Sequence, residues 1–198
     1  MLTKNYSWET FNQVTFRKYF TVKNIALNGM IAALYTVLTI TCGPLGYGFM
    51  QFRFSEMFNL FVFFNPSATV GLTIGCLISN LFSTAGLIDV LLGTATTFIG
   101  CIMMILYSKI VKNLFTTSLI PCLLNALVVP ITVYISCLGT NSSFILNPSI
   151  YFVMFGWVFL GELVCVTCVG YPIFMILTKT NPSFYRLIDA TNNLDYKW

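Results

Sequence analysis

The stretch LIDVLLGTATTFIGCIMMILYSKIV, residues 87–111, indicates the fold class of this chain. It runs for 25 residues with one acid, Asp89, near its start and one base, Lys109, near its end. As an α-helix it would extend about 37 Å, more than the roughly 30 Å thickness of the apolar interior of a bilayer. A surface helix of a soluble protein would show a charged face, and this stretch has none. It therefore predicts a helix that crosses a membrane.

The composition of the whole chain extends this prediction. Of the 198 residues, 57% are apolar and 8% are charged, whereas an ordinary soluble domain has roughly 25% charged residues. So few charges cannot cover the surface of a soluble protein, and the long unbroken apolar runs favour helices over the alternating strands of a membrane β-barrel. We therefore expect an all-α integral membrane protein in a lipid bilayer.

Missing residue types exclude several kinds of chemistry. The chain has no His, which removes His-based acid–base catalysis and the usual zinc and haem ligands. The seven Cys, an odd number, are scattered through apolar runs and are expected to act as small apolar residues. No glycine-rich phosphate-binding motif is present. We expect no cofactor, no metal and no hydrolysis of a nucleotide by this chain alone.

Six apolar runs, separated by Gly, Pro, Asn and other polar residues, predict a bundle of six transmembrane helices. They cover about residues 24–41, 54–64, 66–82, 87–111, 116–138 and 148–177. The predicted organisation is a cytosolic N-terminal lead-in at 1–22, a six-helix membrane domain at 23–179 and a cytosolic C-terminal tail at 180–198.

The basic residues predict the orientation of this bundle. In a six-helix topology nine of the ten lie on the side of both termini, and Arg53 lies on the other side or within the membrane. Because basic residues concentrate on the cytosolic side, both termini are predicted to be cytosolic. The nine are Lys4, Arg17, Lys18, Lys23, Lys109, Lys112, Lys179, Arg186 and Lys197.

Four ionisable residues remain at or within the membrane: Arg53, Glu56, Asp89 and Glu162. A charge there is costly, so such residues usually face an internal cavity and mark a path for a substrate or ion. Arg53 and Glu56 are three residues apart and could neutralise one another, and Asp89 could interact with the dipole of the helix that it begins. Glu162 lies mid-helix without a nearby base in the sequence, so it needs a partner from another helix or from a ligand.

Together these residues predict a net acidic cavity, with three carboxylates against one guanidinium. Such a cavity suits a solute that donates hydrogen bonds and carries a positive charge. Amides and aromatic rings in the same regions suggest a flat aromatic solute with polar edges. These residues are Gln51, Asn80, Asn125, Tyr47, Phe49, Phe52 and Trp157.

Three segments carry a resemblance to a known family: YGFMQFRFSEMFNLF at 47–61, GLTIGCLISNLFSTAGLIDVLLGTATT at 71–97, and GELVCVTCVGYP at 161–172. Over about residues 22–178 the chain resembles the QueT family. Its members are substrate-binding S components of energy-coupling factor (ECF) transporters assigned to queuosine precursors. The most specific element is the pattern of Gln51, Arg53, Ser55 and Glu56.

The resemblance implies a six-helix bundle whose outward loops, here 43–53, 83–86 and 139–147, cap a site in the membrane domain. The substrate would be a 7-substituted 7-deazaguanine or queuine. Helix one would dock on a membrane scaffold subunit through small residues, here Ala26, Gly29 and Ala33, which permit close approach of another helix. Two cytosolic ATPases would supply the energy. The chain would act in a bacterial cell membrane, without a nucleic-acid partner.

Two other functions stay open at this point. The same architecture could bind a different solute, such as a vitamin or another amine. Alternatively, the chain could be a membrane-embedded enzyme that works with Glu162, Asp89 and Cys side chains. A binding subunit would leave its solute chemically unchanged, whereas an enzyme would convert it.

Overall fold

The computed structural model describes residues 21–43, 52–83, 86–138 and 148–188, and the regular structure within these ranges is helical. Helix α1 spans Val22–Thr41. A 3₁₀ segment at Phe54–Leu60 runs directly into the single turn of α2 at Phe61–Phe64. After a break at Asn65, helix α3 spans Ala68–Asn80.

The next two helices form a hairpin. A π-helical segment at Asp89–Gly93, the first π segment, continues into α4 at Thr94–Ile110. Helix α5 follows at Leu114–Leu138 and contains Pro121 and Pro130. Proline is tolerated within membrane helices because neighbouring groups satisfy the freed backbone carbonyls.

The last long helix also contains a π-helical part. Helix α6 at Pro148–Glu162 continues through the second π segment, Leu163–Gly170, into α7 at Tyr171–Thr180. A short α8 follows at Pro182–Ile188. Both π segments begin at or directly after an acid, and π-helical turns occur frequently at functional sites.

Four helical stretches are long and apolar enough to cross a bilayer: Val22–Thr41, Asp89–Ile110, Leu114–Ser136 and Ser149–Thr180. Phe54–Phe64 and Ala68–Asn80 are shorter apolar helices. All six predicted apolar runs are thus helical, in the predicted order. The two short helices would reach only about 20 Å each, less than the bilayer interior, so the count of six membrane crossings stays a prediction.

Helices α1 and α3 pack closely through two glycines that are four residues apart. A Cβ atom on Gly71 would lie 2.5 Å from the backbone oxygen of Asn28, and one on Gly75 would lie 2.9 Å from Cβ of Tyr35. A larger residue at either position would therefore push the two helices apart. This is the small-residue packing by which membrane helices bring their backbones together.

The chain beyond the last apolar run folds back on the bundle. Ile188 at the end of α8 is fully buried, and the ring of Phe184 lies 6.3 Å from that of Phe61. At the same end, Nζ of Lys23 donates to the backbone oxygen of Arg186 at 2.6 Å. Part of the segment predicted as a tail is thus a helix packed on the core, which hydropathy alone does not indicate.

Candidate functional site

The four ionisable residues that the sequence places in the membrane are all buried. Glu162 and Glu56 are 0% and 1% exposed, and Arg53 and Asp89 are 4% and 6% exposed. The other basic residues that the structure describes are exposed; they are Lys23, Lys109, Lys112, Lys179 and Arg186. Within the described ranges, the interior therefore contains three carboxylates and one guanidinium.

Arg53, Asn80 and Asp89 form one polar group where three elements meet. Nη2 of Arg53, which precedes the 3₁₀ segment, donates to Oδ1 of Asn80 at 2.8 Å and lies 3.6 Å from Oδ2 of Asp89. Asn80 ends α3, and its Nδ2 donates to the backbone oxygen of Asp89 at 3.1 Å. The structure thus brings together three of the residues that the sequence analysis singled out.

Gly93 leaves the space that this group needs. A Cβ atom on Gly93 would lie 2.7 Å from Nδ2 of Asn80 and 3.0 Å from Oδ1 of Asp89. A side chain at this position would therefore displace the amide that joins α3 to the first π segment.

Glu56 belongs to a second group, on the side of α1. Its Oε1 accepts a hydrogen bond from the hydroxyl of Tyr35, and its Oε2 accepts one from Nδ2 of Asn59. Nearby, Oγ1 of Thr39 donates to Oγ of Ser55 at 2.6 Å, a second link between α1 and the 3₁₀ segment. Oδ1 of Asn59 is buried and has no hydrogen-bond partner in the described part of the chain.

Glu162 and Asn125 form a third group, between α5 and the start of the second π segment. Nδ2 of Asn125 donates to Oε1 of Glu162 at 3.0 Å. Oε2 of Glu162 is buried and has no hydrogen-bond partner among the residues that the structure describes. A buried acceptor without a donor lowers stability, and a ligand or a water that donates to this oxygen would satisfy it.

The elements that carry the three groups pack against one another. The 3₁₀ segment packs against the second π segment, since a Cβ atom on Gly170 would lie 2.8 Å from Cβ of Met57. The three groups together contain three carboxylates and one guanidinium, and two of their buried acceptor atoms, Oε2 of Glu162 and Oδ1 of Asn59, have no partner in the described ranges. This arrangement fits a solute that donates hydrogen bonds and carries a positive charge.

The remaining predicted site residues have different locations. Trp157 is 45% exposed on α6, so the structure does not bring it together with the buried charges. Tyr47 and Gln51 lie outside the described residues, as does most of the three predicted capping loops. Ala26, Gly29 and Ala33 are exposed on α1, on a side of the helix that does not face the polar groups.

Sequence reasoning missed two residues of the site, Tyr35 and Asn59. Asn59 follows Glu56 by three residues, the spacing at which side chains of a 3₁₀ helix lie above one another, so this spacing was an available signal. Tyr35 had no comparable signal, since it lies 21 residues before Glu56 in an otherwise apolar helix. Arg53 and Glu56, considered as a neutralising pair, each have partners from other elements.

The comparison with protein families identifies the chain. The family model described as QueT transporter matches residues 25–179, most of the membrane region. The chain belongs to the QueT family. The resemblance drawn from the three sequence segments is thereby confirmed, and QueT membership places the chain among multi-pass membrane transport proteins.

One curated relative in the QueT family is the queuosine precursor transporter QueT of Lactococcus lactis subsp. cremoris (strain MG1363). It is 42% identical over 78 residues, which are 38% of this chain and 46% of the relative. The match therefore spans about half the length of that relative. No solved structure matches the chain.

Proposed function

We propose that this protein is the substrate-binding S component of an ECF-type importer, which captures a queuosine precursor outside a bacterial cell. The substrate is a 7-deazaguanine derivative or queuine. The observation that carries this proposal is Glu162, which is fully buried and has one carboxylate oxygen without a partner in the described chain. The ring edge of a deazaguanine offers adjacent N–H donors, which match a buried carboxylate in a two-point, charge-assisted pair.

In the proposal, other predicted ligands lie around the contact between Glu162 and the ring edge of the solute. Asn125 holds Glu162 in place, and Asn80 and Arg53 form the polar wall that includes Asp89. Gln51 and Tyr47, which lie outside the described residues, stay predicted ligands of the ring. Trp157, which is 45% exposed on α6, is assigned no contact with the solute.

We propose six membrane crossings, with both termini in the cytosol. The bases Lys23, Lys109 and Lys179 lie at the start of α1, the end of α4 and the end of α7. In an alternating six-helix topology these three ends share one side. The contact between Lys23 and Arg186 supports this for the two chain ends, and basic residues favour the cytosolic side.

The proposed partners are an ECF transmembrane scaffold subunit and two cytosolic ATPases. Ala26, Gly29 and Ala33 are exposed on α1, and no atom lies within 4 Å of the position of a Cβ on Gly29. Gly29 also borders an apolar groove of about 570 Å³ between α1 and α3. A helix of the scaffold could therefore approach α1 closely, whereas Ala32 on the inner side already packs against α3.

Mass spectrometry of the solute that co-purifies with the protein tests the proposal. We expect a 7-deazaguanine or queuine, released on unfolding and bound again by the emptied protein in calorimetry. A vitamin or an unrelated amine would instead support an S component with another substrate. Chemical conversion of the solute by the purified chain would support the enzyme alternative.

A further inference from the structure

The three buried carboxylates differ in the groups that contact them. In the described part of the chain, Arg53 is the buried base, and it forms its ion pair with Asp89. Glu56 and Glu162 accept hydrogen bonds from neutral groups, namely Tyr35, Asn59 and Asn125. The two buried carboxylates of Glu56 and Glu162 are thus held by neutral donors, while the buried guanidinium lies against Asp89.

Asn59 provides the second observation. It is 3% exposed, and its Nδ2 is used by Glu56, while its Oδ1 is buried without a hydrogen-bond partner in the described ranges. A buried amide normally satisfies both ends. Because Asn59 directs its donor to Glu56, an acceptor without a partner lies beside a carboxylate. A group that fits this arrangement has several N–H donors and a positive charge.

A protonated amine has these properties, since an ammonium group carries three donors and no acceptor. A nitrile has the opposite ones, because it is neutral and its nitrogen only accepts. Placed beside the carboxylate of Glu56, a nitrile would leave Oδ1 of Asn59 unsatisfied. The same 7-deazaguanine ring can carry either group at position 7, so this part of the site can distinguish between the two forms.

We propose that Glu56 and Asn59 form an ammonium subsite, through which the protein prefers amine-bearing 7-deazaguanines over the neutral nitrile. The proposal rests on the proposed function, in which the ring edge of the substrate binds Glu162. In this arrangement the two ends of the solute occupy two different carboxylates. Tyr35 orients Glu56 from α1 and does not contact the solute.

Calorimetry with two ligands of the same ring tests the proposal on the wild-type protein. The aminomethyl form should bind about 10- to 150-fold more tightly than the cyano form, the range expected for one hydrogen bond to a charged partner. Equal affinities, or a preference for the nitrile, would overturn the subsite and leave the proposed function intact. Binding of neither ligand would refute the proposed function itself.

Two variants that each remove one carboxylate charge show whether the preference for the amine depends on Glu56. Glu56→Gln keeps an acceptor for Tyr35 but removes the charge, so the ratio of the two affinities should fall to within about threefold of one. Asp89→Asn removes one carboxylate from the other group, so its ratio should stay near the wild-type value even where both affinities fall. An equal loss of the ratio in both variants would show a general charge effect and overturn the subsite.

Two further measurements keep the proposal testable. If Glu56→Gln does not fold, Asn59→Ala is tested in its place. Removal of Oδ1 of Asn59 should also reduce the ratio of the affinities for the aminomethyl and cyano forms. Titration of sodium chloride into a low-salt buffer examines an inorganic cation at the same place. Nitrile binding that strengthens with sodium to the level of the amine would assign the subsite to a metal ion, contrary to the proposal.

Discussion

The hydroxyl of Tyr35 on α1 donates to the carboxylate of Glu56 in the 3₁₀ segment, and each of the two residues is only 1% exposed. This hydrogen bond joins the helix that carries the proposed docking face to the segment that carries the proposed ammonium subsite. A second bond, from Thr39 to Ser55, runs beside it. Helix α1 therefore has two roles on two faces, an exposed one made of small residues and a buried one that orients a site carboxylate.

Tyr35→Phe should destabilise the protein by about 1.5–3 kcal/mol, since a hydrogen bond to a buried charged group is lost. Thermal unfolding in detergent micelles measures the change. Tyr151→Phe is the matched control, because the Tyr151 hydroxyl donates to the backbone oxygen of Leu127 at an exposed position and should contribute less. Equal losses in the two variants would contradict the importance assigned to the buried bond.

Arg53 and Asp89 should behave as a coupled pair. Arg53→Met leaves a buried carboxylate without its ion-pair partner and should cost about 3–5 kcal/mol of stability, whereas the double variant with Asp89→Asn should cost less than the sum of the single ones. Unfolding midpoints of the four proteins give the coupling. A second double-mutant cycle, which combines Arg53→Met with Glu56→Gln, should show a smaller coupling energy than the cycle with Asp89→Asn. A larger coupling energy with Glu56→Gln would favour the pairing of Arg53 with Glu56.

Glu162→Gln should weaken binding of the deazaguanine by about 1.5–3 kcal/mol, or roughly 10- to 150-fold, while the fold is retained. The amide preserves the shape of the side chain but removes the charge and replaces one acceptor with a donor. Calorimetry on the folded variant is the measurement. Wild-type affinity in this variant would show that Glu162 is not a principal ligand.

Gly29→Leu should abolish transport and assembly with the scaffold but leave solute binding by the isolated subunit unchanged. The new side chain points into open space, so it blocks only an incoming partner. Gly156→Leu on α6 is a matched control, since a Cβ there also meets no atom within 4 Å and no partner is proposed for that face. Pull-down of the scaffold and equilibrium binding test both variants, and retained assembly of Gly29→Leu would refute the docking face.

Two glycines that differ in their surroundings give a stability test of the α1–α3 contact. Gly71→Ala places a Cβ 2.5 Å from the backbone oxygen of Asn28 and should lower the unfolding midpoint by several degrees. Gly29→Ala meets no neighbour and should leave it unchanged or raise it slightly, because alanine favours the helix. Similar midpoints for the two variants would mean that the close approach of the helices is not required.

The sequence by itself determined the membrane class, the order of the helices, the family and the buried acids. These properties depend on composition and on local apolar periodicity, which a single chain displays directly. Glu162 is an example: a carboxylate in the middle of GWVFLGELVCV needs a partner wherever the helix lies, and the structure buries it completely. Gly71 and Gly75, four residues apart, leave room for another helix, and the structure shows that this helix is α1.

Only the tertiary structure decided which residues meet. Arg53 lies three residues from Glu56, yet the structure pairs it with Asp89, which is 36 residues away along the chain, and with Asn80. Glu56 has Tyr35 as a partner, from a helix in which no periodicity distinguishes that residue. Such partners depend on how helices rotate and approach one another, and in lipid that is decided by side-chain packing and polar contacts between helices, which a hydropathy pattern does not contain.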